Sequence, residues 1–290
     1  MKKWVFWFVI VVLLGYEAIQ QHSATGKKVN QLEVEESAYV VSSPGKENLT
    51  TIKVTKDQIY QGNLVLINQD YPVHQIGMQT DILNLFQHKE LVKGFGLLDN
   101  TIRLSQSVIQ AFTTMISAAD KDGIRHFLIN SGYRDNKEQS QLYKDMGAMY
   151  ALPAGHSEHN LGLALDIGST QADMNQAPEG EWLIRNAADY GFILRYPKDK
   201  TAITGIQYEP WHFRYVGLPH SKVMQQMNLS LEEYLAYLKQ QKNITTKVKG
   251  KIYEISYHPI TRNSTIQVPN NRSYTLSGNN MDGIIVTVLP

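Results

Sequence analysis

Between Ala154 and Gly168 the chain reads AGHSEHNLGLALDIG, and this stretch puts a carboxylate, Asp166, inside an apolar run with the composition of a core strand. An ionised aspartate in an apolar interior is costly unless a cation or several donors meet it. Whatever fold the chain adopts must therefore bring Asp166 a partner. His159 is near in sequence, but on one regular strand residues seven apart span about 23 Å and face opposite sides. On a helix they stand about 10 Å apart along the axis. The two side chains meet only if His159 precedes the strand and the chain turns near Asn160-Leu161-Gly162, where glycine permits the bend.

A second segment, YEPWHFRY, carries Glu209 and His212 separated by Pro210 and Trp211. Pro210 and the aromatic neighbours favour extended or bulged backbone over a helix. The chain has no cysteine, so a transition-metal site must be built from His, Asp and Glu, a donor set sufficient for zinc. His212 can supply a third ligand and Glu209 a carboxylate beside a fourth, water-bearing position. Three protein ligands plus water mark a catalytic zinc, because structural sites close all four positions. An acidified water with a carboxylate to take its proton is the equipment of a metallohydrolase. SGYRD adds Arg134 just after an expected strand, where a developing oxyanion can be met. The competing reading of Asp166 is an ion pair with an arginine, such as Arg134 or Arg195.

The rest of the sequence sets the frame. At 290 residues, 42% hydrophobic and 19% charged, the chain suits one main domain with additions or two small domains. A net charge of +1 and the lack of a Lys/Arg stripe give no reason to expect a nucleic-acid partner. At the N-terminus Lys2 and Lys3 precede an apolar run from Trp4 to Tyr16, shorter than the roughly 20 residues of a standard span. With no convincing cleavage site after it, residues 1–19 are expected to be an uncleaved anchor rather than a cleaved signal. The two lysines would then leave the body outside the cytoplasm. Polar residues 20–56 read as a stalk, residues 57–240 as the catalytic domain and residues 241–290 as a small β module.

Within that body Leu64–Ile67 reads as a short strand. Ile109, Phe112, Ile116 and Ala119 lie on one helical face that stops at Gly123. IRHFLINS is a strand, Asp135 and Asn136 open a helix, EGEWLIRNAADYG is a helix, and FILRY and YEPWHFRYVG are strands.

The order SGYR, SEHNLGLALD, EPWH resembles zinc D,D-peptidases. Ser157 to Asp166 match their Ser-x-His-x-x-Gly-x-Ala-x-Asp motif, Glu209 to His212 their Glu-x-Trp-His motif, and Ser131 to Arg134 their Ser-Gly-Tyr-Arg motif. The likeness spans roughly Phe127 to Gly217 and is strongest to the VanY-type D,D-carboxypeptidases of glycopeptide-resistant bacteria. It implies an α+β fold, a mainly antiparallel sheet flanked by helices of the hedgehog/D-Ala-D-Ala-peptidase type. One Zn²⁺ per chain would be held by His159, Asp166 and His212, with Glu209 as general base and later acid. Arg134 would stabilise the oxyanion or hold substrate, and Gln139 and Ser157 would contact substrate. The implied substrates are peptidoglycan precursor peptides ending in D-Ala-D-Ala or D-Ala-D-Lac, met at the outer face of the cytoplasmic membrane. Alternatives are an L,D-carboxypeptidase or D,D-dipeptidase of the same fold, or a non-catalytic wall-binding zinc protein. His156 departs from the family pattern, which has an aromatic before the serine; it is read as a rim contact or surface residue, its spacing from His159 leaving a competing ligand role as the lesser alternative.

Overall fold

The computed structural model describes residues 48–147 and 151–290. The expected anchor, residues 1–19, and the stalk up to residue 47 lie outside the described residues. Among those described, no helix is long and apolar enough to cross a membrane. The far end of the expected stalk is not a linker: β1 (Leu49–Val54) pairs antiparallel with Ser264–Pro269 near the other end of the chain. Its polar composition reflects a solvated face, while Val54 is buried. Period-two strands with one wet face are common in antiparallel pairs.

Leu64–Ile67, expected as a strand, is instead a buried irregular segment. Its backbone bonds to residues far away in sequence rather than to a neighbouring strand. Leu64 N–H donates to Ser277 Oγ, Leu66 O accepts from Asn280 Nδ2, and Val65 O accepts from Arg214 Nη2. Buried main-chain groups need partners, and here mostly side chains provide them.

Then follow β2 (Ile82–Asn84), β3 (Phe95–Leu97), β4 (Arg103–Ser105), α1 (Gln106–Lys121), β5 (Phe127–Ser131) and α2 (Asn136–Met146). The next elements are α3 (Glu158–Leu161), β6 (Ala164–Ser169), α4 (Pro178–Asn186), β7 (Phe192–Leu194), α5 (Thr201–Thr204) and β8 (His212–Tyr215). The chain closes with α6 (His220–Met227), α7 (Leu231–Gln241), β9 (Asn243–Val248), β10 (Lys251–Pro259), β11 (Ser264–Pro269), β12 (Tyr274–Gly278) and β13 (Gly283–Val288).

The central sheet runs β3-β5-β6-β8-β7; β3 pairs parallel with β5 and every other pairing is antiparallel. This is the mixed, mainly antiparallel α+β architecture expected. The apolar stripe of α1, with Ile109, Phe112, Ile116 and Ala119 all buried, packs into a core with Phe127, Ile129, Leu165, Ile167, Phe192 and Phe213. A second sheet, β12-β13-β10-β9, is covered by α6 and α7. Their joint core takes in Leu64, Leu66, Ile193 and Val216, so no seam falls at residue 240. The expected C-terminal module shares its interior with the segment it was expected to follow.

Candidate active site

The Asp166 puzzle is resolved by alternation along β6. Leu165 and Ile167 point into the apolar core, and Asp166 points to the other face. Directly opposite Asp166, on β8, stands His212, and beside it Phe213 turns back into the core. Two adjacent antiparallel strands thus present a carboxylate and an imidazole side by side. On its other flank Asp166 pairs with Ser131, next to a register shift in β5 between Ile129 and Ser131.

His159 arrives from α3, a single helical turn capped by Ser157, whose Oγ accepts the His159 N–H at 3.3 Å. The turn ends at Gly162 in the left-handed region, φ +89°, and a Cβ there would meet Ile82 Cδ1 at 2.8 Å. The bend expected at Asn160–Gly162 is therefore present, and only glycine fits it. Segment EPWH differs from the extended backbone expected. Glu209 to Trp211 form a turn closed by the His212 N–H to Glu209 O at 3.2 Å, and the strand starts only at His212. Proline suits the second position of such a turn.

The three donor atoms converge. His159 Nε2 lies 3.4 Å from Asp166 Oδ1, His212 Nδ1 lies 3.1 Å from the same oxygen, and the two nitrogens are 3.3 Å apart. Donors about 2.1 Å from one tetrahedral ion stand about 3.4 Å from each other, so the set fits zinc. The outer ring atoms fit as well. His159 Nδ1–H donates to Gly132 O at 2.6 Å and His212 Nε2–H donates to Glu158 Oε2 at 3.3 Å, which leaves the inner nitrogens as electron-pair donors. Gly132 earns its place by proximity: a Cβ there would lie 2.1 Å from Arg103 O.

Burial lowers the His159 pKa to about 4, helped by Arg134, so this ring is neutral. Burial opposes charge on His212 too, but its bonds to Asp166 and Glu158 outweigh it and raise the pKa to about 9. Asp166 is held well below the usual carboxylate range, burial being outweighed by His159 and His212. The metal-free site therefore holds an ionised Asp166, ready as a ligand, and a proton on His212 that a dication must displace.

Glu209 Oε2 lies 3.8 Å from His212 Nδ1, beside the donor set rather than in it. Burial raises its pKa, with Asp166 adding repulsion, which makes it a stronger base than an ordinary glutamate. Arg134 is fixed through its backbone: its N–H donates to His159 O at 3.2 Å and its carbonyl accepts from Asn160 Nδ2 at 2.7 Å. Its Nε is buried without a hydrogen-bond partner among the described residues. Burial lowers the Arg134 pKa while Asp166 and Glu209 draw it back up. A buried donor of this kind awaits an acceptor.

The remaining expected residues are placed as follows. Gln139 is buried on α2, its Nε2 donating to Leu152 O at 2.6 Å and its Oε1 unpartnered. Ser157 is the α3 cap already described. His156 bonds through Nδ1 to Asn68 O at 2.9 Å and stands outside the donor set. Neither arginine considered as a partner for Asp166 forms an ion pair with it. Arg195 instead binds Glu158 and Glu232. Sequence reasoning passed over Glu158, Arg214 and Tyr196, whose ring packs 4.9 Å from that of His212. The available signal was an arginine interrupting each of the apolar runs FILRY and HFRYV.

A His-Asp-His set with outer partners on both rings, a carboxylate beside it and an unpaired buried arginine defines a zinc-dependent hydrolase site on an α+β scaffold. Residues 101–218 match the family model of VanY, D-alanyl-D-alanine carboxypeptidase. Across its full length the chain is 52% identical to a D-alanyl-D-alanine carboxypeptidase of Enterococcus faecium, covering 97% of that protein. A bifunctional D-Ala-D-Ala dipeptidase and carboxypeptidase of Enterococcus gallinarum, VanXYC, is 39% identical over 49% of this chain and 82% of its own. Among solved structures, the vancomycin-resistance D,D-dipeptidase VanXYg, in complex with a D-Ala-D-Ala phosphinate analogue, superposes with a TM-score of 0.74 at 33% identity. That match covers 84% of this chain and all of the other. The chain belongs to the VanY family of D-alanyl-D-alanine carboxypeptidases.

Proposed function

We propose that the chain removes the C-terminal D-Ala from peptidoglycan precursor pentapeptides ending in D-Ala-D-Ala, and D-Lac from their depsipeptide counterparts, and so contributes to glycopeptide resistance. The observation that carries this reading is the convergence of three buried donors within 3.1–3.4 Å of one another, with Glu209 at their edge. His159, Asp166 and His212 would hold zinc, which supplies Lewis acidity to a water and to the scissile carbonyl.

Glu209, desolvated and outside the donor set, takes the proton as water adds to the penultimate D-Ala carbonyl carbon. It returns that proton to the amine nitrogen of the departing D-Ala as the C–N bond breaks. Arg134 offers its unpaired buried donor to the oxygen on which negative charge develops. The free Oε1 of Gln139 and the hydroxyl of Ser157 are the proposed contacts to substrate.

Incubation with free D-Ala-D-Ala, tetrapeptide, pentapeptide and the D-Lac depsipeptide, followed by mass analysis, tests this reading. Shortening of the pentapeptide by one D-Ala is the expected dominant product. Trimming of the tetrapeptide alone, or cleavage of the free dipeptide alone, would replace it with one of the rival activities.

The apolar N-terminal segment supports membrane attachment, with the catalytic body outside the cytoplasm. Expressed in a bacterium, the full chain is expected in the carbonate-washed membrane fraction and a chain lacking residues 1–19 outside it. Full-length protein free of the membrane would end the anchor reading.

A further inference from the structure

Glu158 neighbours a metal ligand in the chain, yet it lies behind the donor set and every lone pair used on it faces a fixed donor. Oε1 accepts from Arg195 Nε and Arg214 Nη1, both at 2.8 Å, and Oε2 accepts from His212 Nε2 at 3.3 Å. The arginines are themselves anchored. Arg214 Nη2 donates to Asn63 O and Val65 O at 2.9 Å, and Arg195 makes two bonds to Glu232 at 3.0 and 2.6 Å. Glu158, Arg195 and Arg214 are each at most 1% exposed.

We infer that Glu158 is a positioning residue of the metal site: its arginine-clamped carboxylate fixes the His212 tautomer and ring orientation, and thereby sets zinc affinity. The inference rests on the reading of the site as a zinc centre. A neutral imidazole carries one N–H, and whichever nitrogen holds it cannot offer a lone pair. With Nε2–H committed to Glu158, the lone pair of Nδ1 faces Asp166 and His159. Without an acceptor at Oε2 the proton is free to sit on Nδ1, where an electron pair is needed.

A purely structural ion pair would not require this third partner, and apolar residues of similar volume often serve stability as well as a buried pair does. Two glutamates and two arginines also balance in charge, so the carboxylate facing His212 is an anion within a neutral cluster. Glu232 lies on α7, whose Leu231, Tyr234, Leu235 and Leu238 pack against Ile244, Ile255 and Ile285 of the second sheet. The chain of contacts Glu232–Arg195–Glu158–His212 thus gives the C-terminal sheet a part in holding the metal.

The test is the zinc dissociation constant of the full chain, measured by competition with a chromophoric chelator, for wild type, Glu158→Gln and Glu232→Gln. Glu158→Gln, close to isosteric, is expected to weaken zinc binding by about 10–100-fold, while the circular dichroism of the metal-free protein is unchanged. Glu232→Gln is expected to act in the same direction and less. A folded Glu158→Gln protein with wild-type zinc affinity overturns the inference. Should that variant not fold, ¹⁵N spectra of zinc-loaded wild type decide. His212 is expected to show a metal-bound Nδ1 and a protonated Nε2, and ligation through Nε2 overturns the inference. Wild-type protein that takes up no zinc would instead strike the zinc reading, so the two failures are separable.

Discussion

Replacing Glu209 by alanine is expected to leave zinc bound at one per chain and to lower kcat by about 10²–10⁴-fold, the range of a lost general acid–base group. The expectation follows from where the carboxylate stands. Glu209 is not among the three convergent donors, and its nearer oxygen is 3.8 Å from a ligand nitrogen, so its loss removes no metal bond. Its pKa is raised because burial disfavours the ionised form, as suits a proton acceptor. Glu209→Gln, which keeps the shape and loses the base, should fall as far as the alanine variant. Steady-state kinetics on pentapeptide together with metal analysis make the check. Residual activity above about a tenth of wild type in both variants would move the proton-accepting role to another group.

Removal of the metal by a chelator is expected to abolish turnover, and added Zn²⁺ to restore it. His159→Ala and Asp166→Ala should fail to reload. Each takes one donor from a set in which all three face a single point, so the remaining two no longer make a catalytic zinc's complement of protein ligands. Reloading at pH 7 should release about one proton. In the metal-free site His212 is raised to about 9 and so is charged at that pH, His159 is lowered to about 4 and Asp166 is already ionised. The sign is fixed: zinc competes with the His212 proton, so apparent affinity rises with pH toward 9. Calorimetry in buffers of different ionisation enthalpy reads the proton directly. Activity insensitive to chelation would end the metal mechanism.

The convergence of the proposed metal donors was legible in the sequence because its constraints are local. A carboxylate in an apolar strand, a histidine before it and a glycine between them leave few geometries, and the structure has the bend at Gly162. Helix α1 was legible for the same reason, its apolar stripe and Gly123 stop lying within one stretch of chain. What sequence did not reveal depends on distant partners. Leu64–Ile67 has the composition of a strand, but its hydrogen bonds go to Arg214, Ser277, Asn279 and Asn280. Glu158 reads as an ordinary acidic residue in the first turn of a helix. Only the fold shows that Arg195, just past the end of β7, and Arg214, on the neighbouring β8, close on it. The strand Leu49–Val54 was hidden by its wet face, since its pairing partner begins more than two hundred residues later.

The opposition of Asp166 and His212 across β6 and β8 also bears on how the molecule matures. Because side chains alternate along a strand, a slip of one residue between these two strands would turn one ligand into the core while the other stays outside. A mispaired sheet would therefore lack a complete metal set. If the site holds zinc as proposed, the fraction of chains that load it is expected to report how many closed the central sheet in its native alignment.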